Sequence, residues 1–359
     1  MARWPALAGL LVFAGCTSAE PQPTSSAPSA GTTATAPPSS TPSPRPSVTS
    51  PASPSPTTAS EPTFEMETYP VADGSHPHDV APAQDGGVWY TGQGNGTLGW
   101  FHPETGEERQ VPLGAESSPH GVIVGPNGDA WVTDGGLNAI VRVDAETHEV
   151  TAYPLPGAEA NLNTATFDGD DVLWFTGQEG FYGSLDPRDG TLTVHAAPGG
   201  VGPYGIATTP DGEVYFSSLA GSYLGAIDRD TGAVTAIDTP APQGGARRVW
   251  SDSEGRLWVT QWFAGSIARY DPATQAWREW PLPAESPMPY AVYVDETDTV
   301  WVTDFGANAL LRFDPATEAW TSFEHESTPA EVRQLLGRPG EIWGAESAAD
   351  QLVVIRASR

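Results

Sequence analysis

Short apolar runs alternate with turn signals over residues 63–359, and one arrangement keeps returning. Between Pro119 and Asp134 the chain reads Pro-His-Gly-Val-Ile-Val-Gly-Pro-Asn-Gly-Asp-Ala-Trp-Val-Thr-Asp. Two runs rich in β-branched residues flank Asn127-Gly128, a pair suited to a type I′ turn because both central residues must take positive φ. The pattern predicts a hairpin whose paired residues have numbers summing to 255. His120 then lies opposite Gly135 and diagonal to Asp134, close enough for the two side chains to interact.

The tryptophan of this unit recurs as an anchor at Trp89, Trp131, Trp174, Tyr215, Trp258, Trp301 and Trp343, at intervals of 41 to 43 residues. Thr91, Thr133, Thr176, Thr260 and Thr303 follow five of them by two residues. After each anchor comes a third apolar run ending in aspartate and a turn, such as Ile140 to Asp144. In most repeats a fourth follows, such as Trp277 to Leu282. A period near 42 with four short strands predicts an all-β, seven-bladed β-propeller. The last repeat stops after its third strand, Leu352 to Ile355, and Phe64 to Pro70 is expected to supply the fourth, closing the ring and removing an unpaired edge. The anchors read as core between stacked sheets.

Composition narrows the chemistry. The net charge is -29, from 45 acidic and 16 basic residues, and every basic residue is arginine. Without lysine, Schiff-base chemistry and a lysine base are excluded, and so acidic a surface repels phosphate backbones, so no nucleic-acid partner is expected. Residues 1–15, with Arg3 before an apolar run, have the layout of a secretory signal. Phe13-Ala14-Gly15-Cys16 resembles a bacterial lipobox, in which Cys16 carries the lipid. Residues 16–62 are almost entirely Ser, Thr, Pro and Ala and read as a disordered linker. The expectation is a monomeric, extracytoplasmic lipoprotein of the cell envelope that meets the membrane through its lipid anchor only.

Eleven residues before the anchors stand His78, His120, Asn163, Tyr204, Arg247, Tyr290 and Val332. Three residues after them stand Gly92, Asp134, Gly177, Ser218, Gln261, Asp304 and Glu346. Both columns are expected to ring the mouth of the central channel, a concave site for a small molecule or an envelope ligand. An imidazole beside a carboxylate suits general-base work, which singles out His120 with Asp134 and, in the adjacent blade, His78. Tyr204, Arg247, Tyr290, Asn163 and Trp262 are candidate ligand contacts. His102, His148, His195 and His325 read as solvated surface. No cluster has zinc-site spacing, whereas a hard cation could sit near Asp134, Asp304 or Glu346.

Pro119-His120-Gly121-Val122, Pro203-Tyr204-Gly205-Ile206, Leu173-Trp174-Phe175-Thr176, Ile267 to Asp271 and Trp280-Pro281-Leu282-Pro283 resemble phrases of the virginiamycin B lyase (streptogramin lyase) family. The resemblance spans the whole domain. It implies a seven-bladed propeller and a role in antibiotic resistance, with Mg²⁺-dependent elimination opening the lactone of type B streptogramins. A histidine, here His120, would take the proton beside the ester carbonyl, and Asp134 and Glu346 would hold the metal. The family's two histidines head the sixth and seventh blades, where this chain has Tyr290 and Val332. Glu346 matches one family glutamate, and Ala330 stands at the other. Rotated to the first two blades, the pattern meets His78 and His120, with Asp134 and Ser118. A non-catalytic, ligand-binding lipoprotein stands as the alternative, and a calcium-dependent lactonase as a third reading through Asn163.

Overall fold

The computed structural model describes residues 63–157 and 159–357. The expected signal segment 1–15, Cys16 and the expected linker 16–62 lie outside the described residues. Within them run twenty-eight strands, β1 to β28 in chain order, with no helix. They form seven antiparallel four-stranded sheets. Blades 1 to 6 span 77–112, 119–154, 162–196, 203–238, 246–281 and 289–324. Blade 7 combines three strands within 332–357 with β1, Phe64–Pro70, which pairs antiparallel with β28, Gln351–Ala357, from Phe64↔Ala357 to Pro70↔Gln351. The ring closes as the sequence predicts.

The anchor aromatics sit in the second strand of every blade, and the tryptophans among them are buried. Several indole N–H groups are satisfied by an aspartate six residues earlier: Trp174 donates to Asp168 at 2.9 Å, Trp258 to Asp252 at 3.0 Å and Trp301 to Asp295 at 2.8 Å. A buried indole with its N–H paired carries no desolvation penalty.

The hydroxyl two residues after the anchor ties blades together. Thr91 donates to the His120 carbonyl at 2.9 Å, Thr133 to Asn163 at 2.6 Å, Ser217 to Arg247 at 2.7 Å and Thr260 to Tyr290 at 2.8 Å. Some of these oxygens also accept a backbone N–H from their own blade, that of Asp79 for Thr91 at 2.9 Å and that of Arg248 for Thr260 at 3.0 Å. One side chain therefore satisfies polar backbone on both sides of a blade interface.

The first strand of each blade carries a register shift where it approaches the channel, for example between Pro77 and Val80, Pro119 and Gly121, and Ala246 and Val249. Such a bulge re-aims side chains that alternation would send to opposite faces. The hairpin of blade 2 departs from its predicted turn. Gly125 and Asp129 bracket the loop, and Gly128 has φ of 91° whereas Asn127 does not take positive φ. A type I′ turn is thus replaced by a three-residue loop with glycine in the left-handed position. Partners are Gly121↔Thr133 and Val122↔Val132, one residue away from the predicted pairing, and Pro119, not His120, is the neighbour of Asp134. A one-residue slip changes which face every side chain meets.

Candidate functional site

The bulges bring two residues of each first strand to the channel. In blades 1 to 6 these are His78-Asp79, His120-Gly121, Asn163-Thr164, Tyr204-Gly205, Arg247-Arg248 and Tyr290-Ala291. In blade 7 the anchor Trp343 pairs with Leu336, seven residues earlier, whereas Trp89 pairs with Ala81, eight earlier. The shorter hairpin moves Arg333 into the column assigned to Val332 and places Gln334 beside it. Val80 N–H accordingly donates to Gln334 Oε1 at 3.0 Å.

Side chains from non-adjacent blades meet here, which only the central channel allows. Arg248 of blade 5 lies 3.3 Å from Asp79 of blade 1 and also donates to Thr164 of blade 3. His78 Nδ1 lies 2.7 Å from Asp79 Oδ1, and the rings of His78 and His120 are 3.9 Å apart, centre to centre. His120 Nδ1 donates to the Asn163 carbonyl at 3.0 Å, and Asn163 Nδ2 approaches His120 Nε2 at 3.3 Å. All four charged or titratable groups are buried: His78 3%, His120 7%, Asp79 1% and Arg248 4% exposed.

These contacts settle the tautomers. An acceptor facing Nδ1 holds the proton there and leaves Nε2 with a lone pair. Among the hydrogen bonds of the described residues, none engages His78 Nε2. Burial, reinforced by Arg248, Arg333 and Arg247, holds the His78 imidazole well below its usual pKa. Burial and His78 do the same to His120, with Asp79 opposing. Both rings are neutral at pH 7. Burial raises the Asp79 carboxyl, with Arg248 and His120 pulling it back, and Asp79 Oδ2 is buried without a partner.

Gly121 and Gly205 are explained by crowding. A Cβ on Gly121 would sit 2.6 Å from the Asn163 carbonyl oxygen, and one on Gly205 would sit 2.7 Å from Arg248 Cα. The Pro-His-Gly and Pro-Tyr-Gly phrases mark bulges pressed against the next blade.

Opposite the histidines lies an aromatic sector. The Arg247 guanidinium stands 3.5 Å from the centre of the Tyr290 ring, 4.4 Å from Trp262 and 4.8 Å from Tyr204. It donates to Tyr204 Oη at 3.0 Å, and the Tyr204 and Tyr290 hydroxyls are 2.5 Å apart. Phe305 stacks on Tyr290 at 4.9 Å. Burial, then Tyr204, raises the Tyr290 phenol, so it stays protonated. No carboxylate of the described residues pairs with Arg247, and its Nε is buried without a partner. The exposed large hydrophobics Val201, Phe263 and Met288 lie on loops at this same end of the ring.

The second predicted column does other work. Asp134 accepts from Ser117 Oγ and from the backbone N–H groups of Ser118, Gly136 and Leu137. None of its hydrogen bonds reaches His120. Glu346 accepts from Ser327 and Gln351 and lies 2.7 Å from His325 Nδ1. Burial pushes the Glu346 carboxyl up, but those hydrogen bonds outweigh it and hold the group below its ordinary value. Both carboxylates are taken up by these loop and strand partners. His325, expected at the surface, is buried against Glu346. The carboxylate that joins the histidines is Asp79, whose ligand oxygen lies with His78 and His120 nitrogens within 4.8 Å of one another. Its signal was the polar or small residue after each column position, in strands otherwise apolar.

A family model described as the virginiamycin B lyase family matches residues 57–303. Virginiamycin B lyase from Staphylococcus aureus is similar in structure, with a TM-score of 0.77 and 19% identity over 82% of this chain and 100% of that one. A streptogramin B lyase structure gives a TM-score of 0.76 and 22% identity over 82% and 98%. An extracellular domain from B. thetaiotaomicron gives 0.64 and 15% over 81% and 42%. No curated protein matches in sequence.

Proposed function

The chain belongs to the virginiamycin B lyase family, and on that premise we propose that it is a carbon–oxygen lyase opening the lactone of a cyclic depsipeptide by general-base elimination. The observation that carries this reading is the His78–Asp79 pair at the channel mouth. Asp79 fixes the His78 tautomer, burial keeps the ring neutral, and Nε2 is left without a protein partner. A base so prepared takes the Cα–H proton on the alcohol side of the ester, one carbon from the C–O bond that breaks. His120, its ring centre 3.9 Å from that of His78, is tied to Asn163 through both ring nitrogens and supports the base from the next blade.

Mg²⁺, implied by the resemblance, does not fit the residues present. It requires oxygen ligands, and the carboxylates of Asp134 and Glu346 are spent on loops. Asp304 accepts from the backbone N–H groups of Met288 and Gly306 and joins no cluster of ligand side chains among the described residues, and the set around His78 offers two imidazoles and a carboxylate that Arg248 already neutralises. Adding a dication would bury uncompensated charge.

Incubation of the purified domain with a type B streptogramin tests the reading. Elimination leaves the product mass unchanged and creates an alkene, whereas hydrolysis adds water. Ring opening is expected to fall about 100-fold or more in His78→Ala. No ring opening, or ring opening indifferent to both His78→Ala and His120→Ala, sinks the proposal. A ligand-binding role without chemistry is the second reading, favoured by the aromatic sector around Arg247.

We place the protein outside the cytoplasm, anchored through a lipid on Cys16. The lipobox-like Phe13 to Cys16 supports this, as does the extracellular propeller domain among the structural neighbours. Loss of membrane-associated protein in Cys16→Ser is the expected result, and an unchanged distribution refutes the anchor.

A further inference from the structure

We propose that Arg247 is the acceptor for the carboxylate released when the lactone opens, taking the electrostatic part that a metal ion would otherwise play. The inference rests on the elimination reading above, and four observations point to it.

First, the elimination makes a carboxylate. The Cα–H proton passes to an imidazole Nε2, the C–H electron pair forms the Cα=Cβ bond, and the Cβ–O bond breaks with its electrons on the departing ester oxygen. Atoms and charge balance with no further reactant. The negative charge must be received near the base, because a rigid ring cannot carry it elsewhere.

Second, Arg247 is a cation in want of an anion. In a chain of net charge -29, the neighbouring arginines at the mouth are matched, Arg248 by Asp79 and Arg333 by Glu331. Among the described residues Arg247 hydrogen-bonds only the Tyr204 hydroxyl, and its Nε is unpartnered. Third, it is held in place. Tyr290, Trp262 and Tyr204 surround the guanidinium, so its planar donors are preorganised and lose little entropy on binding. Fourth, it faces the base across the mouth. Arg248, its neighbour in the same bulge, reaches Asp79, which holds His78. The aromatic rings and the exposed Phe263 and Met288 would receive an apolar group flanking that carboxylate.

The ligand class is therefore an aromatic or apolar carboxylate, present in the product and nascent in the transition state. Preorganised donors aimed at developing charge are the most effective form of electrostatic stabilisation.

Calorimetry with N-acetylphenylalanine and its amide tests this apart from turnover. The carboxylate is expected to bind at least about 10-fold tighter than the amide, as charge-assisted bonds allow. The preference should vanish in Arg247→Met, persist in part in Arg247→Lys and survive in His78→Ala. Ring opening should also fall in Arg247→Met, and removal of divalent ions by a chelator should leave wild-type ring opening unchanged. Thermal melting establishes that each variant is folded. Equal binding of carboxylate and amide by the wild type, or a preference retained in Arg247→Met, overturns the proposal. A preference that depends on Arg247 in a protein that opens no lactone keeps the anion site and refutes the lyase. Ring opening abolished in His78→Ala but untouched in Arg247→Met does the reverse.

Discussion

The two sides of the channel mouth are built on the same bulge and do opposite things. On blades 1 to 3 it presents His78, Asp79, His120 and Asn163, a compact hydrogen-bonded set with neutral imidazoles. On blades 4 to 6 it presents Tyr204, Arg247 and Tyr290, an aromatic cage around an unmatched cation. Arg248 bridges the two. Since backbone and register are nearly repeated, the contrast lies in two side chains per blade. The fold supplies seven equivalent presentation points, and chemistry is written on them without disturbing the strands behind.

The strongest way to break the comparison is Asp79→Leu, which removes the link between the sectors and leaves Arg248 buried without its counter-ion. Loss of one partner of such a pair costs about 3–5 kcal/mol, read as a lower midpoint in urea. If stability is unchanged, Arg248 does not depend on Asp79. Tyr290→Ala should cost about 3 kcal/mol by removing a buried ring that stacks on Phe305 and Arg247, whereas Tyr290→Phe, leaving Tyr204 without a partner hydroxyl, should cost about 1 kcal/mol. Equal losses would mean that the cage is held by the hydroxyl pair and not by stacking.

The histidine side has its own signature in pH. Its imidazoles have folded pKa values depressed below the ordinary 6.5. The unfolded chain therefore binds more protons than the folded one below pH 6.5, so stability falls as pH drops from about 6.5 towards the folded values. Melting temperature should decline in that window, and the decline should flatten in His78→Gln with His120→Gln. A last effect concerns neither sector alone. Thr260→Val removes a hydroxyl that serves Tyr290 and Arg248 together, and a loss of about 1–2 kcal/mol is expected. A neutral result would show the blade interface to be held by apolar contact.

The ring was legible in the sequence because seven anchors and their turns repeat, and even the clasp strand Phe64–Pro70 could be placed from the missing fourth strand of the last repeat. The first column followed from counting back from the anchors, and in six blades those positions fall at the bulge of the first strand. Two local facts escaped that count. The Asn127-Gly128 loop is a residue longer than its dipeptide suggests, so the hairpin slips and Pro119, not His120, comes beside Asp134. In blade 7 the loop is shorter, so Arg333 replaces Val332. Asp79 stayed hidden for a third reason: adjacent residues in a regular strand face apart, and only the bulge lets His78 and Asp79 meet.

The clasp between β1 and β28 bears on mechanics. Residue 63 leads directly into β1, the outermost strand of blade 7. Any pull applied through the residues before it is delivered to that one seam, the place where the circle is sewn shut. Detaching β1 would leave an open band of seven sheets, the last one strand short. The N-terminal edge of the described chain and the lock of the ring are thus a single ribbon, and tension on the first is a test of the second.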